Sequence, residues 1–296
     1  GKSSPTEITS SNAFVLAASF CSPMCLTAVA ATAAELEVKN CTFIDCSATN
    51  LGGAIDAPLF NAVISNCTFI GCNAKNAGAI SLRGEGAVIS DSVFKDNYAE
   101  TGGSAIYINN VAATVTDCLF DSNVVYSDPE SGTGSEGAIF LSSSSGSVIS
   151  KCIFEKNSAL MGAAIGSYNS SYSVDNSIFS NNIATAKDLT WAVKATDIFE
   201  FMPNDVTITA NNNWFGSTVD NYTAELQTFN ETFWMWQGIA NVHLGNWYFL
   251  NLTETEGASY YDILISLNNL YTNDTEEVTK VTDCGLPDWE VFLSAT

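Results

Sequence analysis

Apolar residues recur along the first two-thirds of the chain with a period of about 25 residues, which lies in the range of solenoid repeats. A phenylalanine marks each repeat at nearly equal steps, and only the step from Phe120 to Phe154 is clearly longer. These phenylalanines are Phe43, Phe69, Phe94, Phe120, Phe154 and Phe179. A sequence that repeats at such an interval is typical of a solenoid, in which each repeat is one structural unit.

A second apolar mark recurs in phase with the first. An isoleucine ends a triplet of small residues such as Gly53-Ala54-Ile55, and its copies are Ile80, Ile106, Ile139 and Ile165. The residue two positions before each phenylalanine is always cysteine or serine. Because positions two apart share one face of a strand, we expect these small residues and the phenylalanines to point inward together.

A third repeated position lies three residues after each phenylalanine. It is occupied by Asn97, Asn123, Asn157 and Asn182, and by Cys46 and Cys72 in the first two repeats. Asparagines at one turn position of stacked repeats can hydrogen-bond up and down the stack through their amides. We therefore expect a buried asparagine ladder.

A repeat of this length has room for three short strands and their turns, and no helical periodicity runs through it. Residues 1–218 are therefore predicted to form an all-β, right-handed parallel β-helix of about eight coils with three strands per coil. Residues 13–29 fit a degenerate first coil and residues 191–215 a last one. Stacked coils would place equivalent strands about 4.8 Å apart.

The last quarter of the chain differs in composition. Residues 219–245 are predicted to be an aromatic cap or linker, and residues 246–296 the start of an immunoglobulin-like β domain. Strand-like alternation over Asn246–Leu252 and Tyr261–Leu267 indicates the latter. We expect the C-terminal end of the helix to be plugged by tryptophans, which are Trp214, Trp234, Trp236 and Trp247.

The charge of the chain limits its partners. With 32 acidic and 10 basic residues the net charge is −22, which disfavours binding to nucleic acids and to anionic membrane surfaces. No run of about 18 apolar residues is present, so no direct membrane insertion is predicted.

The pairing of Phe94-x-x-Asn97 with Gly52-Gly53-Ala54-Ile55 resembles the repeats of chlamydial polymorphic membrane proteins. The chain is more similar to the adhesin-like surface proteins of methanogenic archaea, whose β-helices end in an Asn-Asn-Trp-Trp-Gly signature. Here that signature reads Asn211-Asn212-Asn213-Trp214-Phe215-Gly216, with Phe215 in place of the second tryptophan. The resemblance implies surface display and adhesion.

Cysteines and aspartates are the candidates for chemistry. Cys41/Cys67, Cys46/Cys72 and Cys118/Cys152 would be stacked neighbours, either as disulfides or, as we expect, as packed thiols. Cys21 and Cys25 are the better candidates for a disulfide. Asp91 and Asp117 occupy equivalent positions on neighbouring coils and could hold a cation such as Ca²⁺, although solvated surface carboxylates partly offset by Lys151 are the expected state.

These features predict a non-enzymatic, extracellular adhesin-like protein that needs no cofactor and has no catalytic residues. We expect it to bind a surface protein or glycan of another cell and to be anchored through parts outside this fragment. Seven Asn-x-Ser/Thr sequons are compatible with a glycoprotein. Two alternatives remain open. Many β-helix proteins are polysaccharide lyases or hydrolases that use stacked carboxylates, and the chain could also be a purely structural stalk.

Overall fold

The computed structural model is almost entirely β-structure. It describes residues 7–10, 26–27, 35–58, 61–84, 86–126, 128, 136–185, 196–201, 206–218, 233–235, 241–256, 261–272 and 277–288. No helix among these residues is long and apolar enough to cross a bilayer.

Each coil passes through short strands in a fixed order, and equivalent strands of successive coils pair in parallel to form four sheets. We number the sheets 1 to 4 in the order in which a coil visits them. The strands of sheet 1 are Glu7–Ser10, Glu35–Lys39, Asn61–Ser65, Ala87–Ser90, Ala113–Thr116, Ser147–Ser150, Tyr172–Asp175, Thr207–Asn211 and Asn241–Leu244. Those of sheet 2 are Thr42–Ile44, Thr68–Ile70, Val93–Lys95, Leu119–Asp121, Ile153–Glu155, Ile178–Ser180, Asn213–Thr218, Asn246–Glu256, Tyr261–Thr272 and Glu277–Lys280.

Sheets 3 and 4 complete each coil. The strands of sheet 3 are Asn73–Asn76, Tyr98–Thr101, Val124–Val125, Ser158–Ala159 and Ile183–Ala184. Those of sheet 4 are Leu26–Thr27, Ile55–Ala57, Ile80–Leu82, Ile106–Asn109, Ile139–Ser142, Ile165–Tyr168, Ile198–Glu200 and Phe233–Met235. The predicted parallel β-helix of about eight coils is confirmed, since sheet 4 alone contains eight stacked strands.

The prediction of three strands per coil is wrong, because the described central coils have four. In one coil, Asp91 (φ 50°) and Ser92 lie between sheets 1 and 2, and Asp96 (φ 53°) and Asn97 lie between sheets 2 and 3. The first residue of each pair has positive φ. Asparagine and aspartate tolerate this left-handed conformation better than other non-glycine residues. A turn this short does not stand out in a hydrophobic pattern.

The phenylalanine column runs through the interior as predicted. Successive rings are stacked with centroids 4.8, 4.9, 4.9, 4.8 and 5.1 Å apart from Phe43 to Phe179, and Phe215 continues the column 4.8 Å from Phe179. The six repeat phenylalanines are at most 1% exposed. Removing each ring from water stabilises the fold by about 1.5–3 kcal/mol.

The isoleucine column forms the opposite wall of the interior. Ile55, Ile80, Ile106, Ile139 and Ile165 pair in register in sheet 4. The corner leading into this sheet needs glycine, because a Cβ on Gly78 would overlap the backbone carbonyl oxygens of Ser104 and Tyr98 on the next coil. Close approach of two backbones, rather than turn flexibility, therefore explains the glycine in the triplet.

The small-residue column beside the phenylalanines consists of cysteines and serines. The Cys67 thiol donates to the carbonyl oxygen of Ser65 at 3.3 Å, and the Ser92 hydroxyl makes the same contact with Ser90 at 2.7 Å. The ladder cysteines are buried thiols that form no disulfide, and they are Cys41, Cys46, Cys67, Cys72, Cys118 and Cys152. Cys21 and Cys25 lie outside the described residues.

The asparagine ladder forms as expected, and each Nδ2 in it makes two hydrogen bonds. Asn97 Nδ2 donates to Asn123 Oδ1 at 2.9 Å, and Asn123 and Asn157 repeat this contact with the next asparagine at 3.0 Å. Each Nδ2 also donates to the carbonyl oxygen of a phenylalanine one coil earlier, as Asn123 does to Phe94 at 2.9 Å. Each Oδ1 accepts in addition a backbone N–H, so the turn between sheets 2 and 3 is locked in register.

A buried carboxyl group ends this ladder. Asn182 Nδ2 donates to Asp197 Oδ1 at 2.9 Å, and Asp197 is 6% exposed. Burial raises the pKa of Asp197 to about 7, although the hydrogen bond from Asn182 acts in the opposite direction. The ladder therefore carries a group that titrates near neutral pH.

The coil continues past residue 218, where the sequence predicted the helix to end. Phe233–Met235, Asn241–Leu244 and the start of Asn246–Glu256 pair in parallel with the strands of the preceding coil. Tyr261–Thr272 and Glu277–Lys280 then add to sheet 2 in antiparallel fashion. The described strands thus extend a sheet of the helix, and the immunoglobulin-like segment is not confirmed.

Two of the four tryptophans expected in the cap have described side chains. Trp247 is 2% exposed, lies in register with Asn213 at the end of the small-residue column, and its ring centroid is 4.3 Å from that of Tyr271. Trp214 pairs in register with Ile178 and packs on the outer face of sheet 2. Only the backbone of Trp234 is described, and Trp236 lies outside the described residues.

Asn123→Ala tests the ladder. The substitution leaves the Phe94 carbonyl, the Asn97 amide and the Asn157 side chain short of partners, so we expect the free energy of unfolding to fall by about 2–4 kcal/mol. Urea denaturation measures this. The exposed Asn61→Ala should change stability by no more than about 0.5 kcal/mol. Equal losses in the two variants would contradict the role of the ladder.

Asp197→Asn tests the titrating group. Because the folded-state pKa is raised, Asp197 favours folding most at acid pH, and this contribution is lost as the pH rises from about 4 to its folded pKa of about 7. We expect the variant to gain about 2–3 kcal/mol relative to the wild type between pH 5 and pH 8. A constant stability difference between the two proteins over this range would refute the assignment.

Candidate ligand-binding groove

The turn between sheets 1 and 2 forms a ladder of its own on the outside of the helix. Its seven residues all have φ between 50° and 55°, and they are Asn40, Asn66, Asp91, Asp117, Lys151, Asn176 and Asn212. The predicted pair Asp91 and Asp117 therefore occupies neighbouring coils, and Lys151 follows on the next. The conformation alone favours Asn and Asp, which explains the residue types at all of these positions except Lys151 without any ligand.

An apolar floor lies beside this ladder. Val93, Leu119 and Ile153, each the residue before a phenylalanine, pair in register and face outward from sheet 2. They are partly exposed. Since the preceding coils carry Thr42 and Thr68 at this position, the outward apolar ladder begins only at Val93.

The C-terminal segment 281–288 covers the continuation of this floor. Ile178, Trp214 and Tyr248 form a buried cluster against which Val281 and Leu286 pack. The segment then reaches the floor itself, where Pro287 lines one wall. Trp214 thus joins the C-terminal segment to the outer face of the helix and does not plug its interior.

These parts enclose a groove of about 230 Å³ lined by Asp91, Ser92, Val93, Asp117, Cys118, Leu119, Lys151, Ile153 and Pro287. Pockets for drug-sized ligands are about 300–1,000 Å³. The groove is therefore large enough for one sugar ring or one amino-acid side chain of a larger partner, and too small for a nucleotide cofactor.

Mixed charge lines one edge of the groove. Two carboxylates and one ammonium group stand on successive coils, and the Thr116 hydroxyl donates to Asp117 Oδ2 at 2.8 Å. Asp121 belongs to a different ladder. Burial alone would raise its pKa, but hydrogen bonds from Lys95 (2.7 Å) and Ser122 (2.7 Å) hold it below the usual value.

A tightly held metal ion is not supported by the groove's donor set. Ca²⁺ takes six to eight oxygen ligands, whereas the groove offers two carboxylates on adjacent coils. Among the described residues, no group of three or more His, Cys, Asp or Glu side chains is placed to hold a metal ion.

The sequence indicated Asp91, Asp117 and Lys151 as candidate site residues. It did not indicate the apolar floor beside them or the wall formed by Pro287. The change from threonine to aliphatic residues before the phenylalanine, from Thr68 to Val93, was a visible signal. Pro287 carried no such signal, because its position depends on a segment that folds back over several coils.

Comparison with known proteins identifies a family. A family model described as "Right handed beta helix region" matches residues 27–223, which is about two-thirds of the chain. No curated protein and no solved structure matches the chain.

Asp117 can be replaced in two ways that separate backbone conformation from charge. Asn accepts positive φ, so Asp117→Asn should leave the free energy of unfolding unchanged within about 0.5 kcal/mol. Val does not, so Asp117→Val should cost about 1–2 kcal/mol. Thermal or urea unfolding of both variants measures the difference. If Asp117→Asn were as destabilising as Asp117→Val, the carboxylate itself would be structurally required.

Proposed function

The chain belongs to the right-handed β-helix family, and we propose that it is a non-catalytic, adhesin-like protein of the cell surface. Its partner would be a surface protein or glycan of another cell. It would act outside the cell, held at the surface by parts of the protein beyond this chain.

The groove on sheet 2 carries this proposal. It combines an apolar floor, Val93, Leu119 and Ile153, with a charged edge, which is the composition of a recognition surface. Its floor and charged edge belong to stacked coils, so most of its shape is set by the interior ladders before a partner binds. The net charge of −22 favours solubility and disfavours anionic partners.

An adhesion assay tests the proposal. Beads coated with the chain should attach to microbial or host cells, and Leu119→Glu, which places a charge on the floor, should reduce attachment at least about tenfold. Thr114→Glu changes an exposed residue of sheet 1 and is the matched control. Absence of attachment to every cell type and extracted surface polysaccharide tried would overturn the proposal.

A polysaccharide lyase or hydrolase is the second candidate. The observation in its favour is that Asp91, Asp117 and Lys151 line the same groove. Paired carboxylates can act as acid and base in glycoside cleavage.

Product release from a panel of pectin, alginate and glycosaminoglycans, with and without Ca²⁺, distinguishes the two candidates. We expect no release. Release that disappears in Asp91→Asn/Asp117→Asn, a double variant designed to keep the turn conformation, would replace the adhesin proposal with an enzymatic one.

A further inference from the structure

Exposed apolar side chains concentrate on the outer face of sheet 3. Of the seven large exposed hydrophobic side chains among the described residues, four lie here. They are Tyr98 (39% exposed), Val124 (39%), Tyr126 (53%) and Ile183 (54%). Concentration on one face of a sheet marks an interaction surface more often than scattered exposure does.

The register of sheet 3 arranges these residues in two adjoining rows. Asn73, Tyr98, Val124, Ser158 and Ile183 follow one another on successive coils. Two positions further along the strands, Glu100 lies next to Lys75 on one side, and Tyr126 follows its strand on the other. We call these eight residues the sheet 3 strip.

The two tyrosines lie close together within the strip. Burial raises the pKa of Tyr98, and the neighbouring Glu100 and Tyr126 raise it further. Tyr98 pairs with Val124, and Tyr126 lies two positions beyond Val124, so the two tyrosines are diagonal neighbours on adjacent coils, about 8 Å apart. A polysaccharide chain that runs along the helix axis over the two rows would contact both rings.

The strip is locally neutral on an acidic protein. Its one lysine, Lys75, is offset by Glu100, and its remaining polar groups are the amide of Asn73, the hydroxyl of Ser158 and the two phenols. The chain as a whole carries −22 and repels anionic partners. A partner matched to the strip is therefore uncharged and amphipathic, with apolar faces for the rings and hydroxyl groups for the polar side chains.

We propose that the sheet 3 strip binds a neutral polysaccharide chain laid along the helix axis. Sugar rings would pack their C–H faces on Tyr98 and Tyr126, while Asn73, Lys75, Glu100 and Ser158 exchange hydrogen bonds with the hydroxyl groups. Tyrosine provides contact area at low entropic cost, because two torsion angles fix its ring. The strip is separate from the groove on sheet 2, and its ligand class does not depend on the adhesive function.

Affinity gel electrophoresis and calorimetry with the whole chain test the proposal. The probes are soluble β-glucan, xylan and galactomannan as neutral chains, with alginate as the anionic comparison. We expect retardation by at least one neutral chain and none by alginate. Tyr98→Ala and Tyr126→Ala should each weaken the affinity about tenfold, whereas Tyr98→Phe should retain most of it.

Tyr168→Ala is the matched control, since Tyr168 is 40% exposed but lies in sheet 4. Its affinity should equal that of the wild type. No binding of any neutral chain, or equal losses in Tyr168→Ala and the strip variants, would overturn the proposal. Circular dichroism of each variant separates loss of binding from loss of fold.

The same variants separate this proposal from the adhesive function. If coated beads attach to cells and the Tyr98→Ala/Tyr126→Ala variant binds polysaccharide as the wild type does, the strip proposal fails and adhesion stands. If the chain binds neutral polysaccharide through the strip but attaches to no cell, adhesion fails and the strip proposal stands.

Discussion

The whole fold depends on hydrogen bonding between like residues on successive coils. In the interior, the asparagine amides use both their donors and their acceptors on the coils above and below, so a slip in register would leave several buried polar groups without partners. The stacked phenylalanines add apolar burial that is insensitive to small displacements. The asparagine amides thus fix the register of the coils, and burial of the phenylalanine rings supplies most of the stabilising free energy. The outer faces are left free to vary, because their side chains take no part in either column.

Prediction from the sequence succeeded where a feature repeats and failed where it does not. Phe43 to Phe179 and Asn97 to Asn182 were identifiable because stacking demands the same residue type at the same interval. The fourth strand of each coil was missed because a turn of only two residues, such as Asp96 and Asn97, separates it from its neighbour. The C-terminal hairpin was interpreted as a separate domain, since strand alternation indicates a strand and not its pairing partner. Trp214 shows the same limit, because the sequence indicates an aromatic residue but not which side of the sheet it occupies.

The two outer surfaces differ in how they are completed. The groove on sheet 2 combines residues from three coils with Pro287, so its shape requires the C-terminal segment to be in place. The sheet 3 strip is built from the coils alone and follows directly from their register. A helix with a uniform interior can therefore carry two unrelated surfaces. The groove depends on a distant segment of the chain folding back, whereas the strip depends only on the stacking of neighbouring coils.

The long step between Phe120 and Phe154 shows how the solenoid accommodates extra chain. The added residues follow Tyr126, yet Ile139 still pairs with Ile106 and Phe154 still stacks on Phe120. The corner between sheets 3 and 4 therefore accommodates extra residues without changing how the coils stack. The cost is small because the free energy of closing a loop rises only slowly with its length. Foreign peptides grafted at this corner would leave the phenylalanine and isoleucine columns in register, which makes the chain a display frame for engineered binding loops.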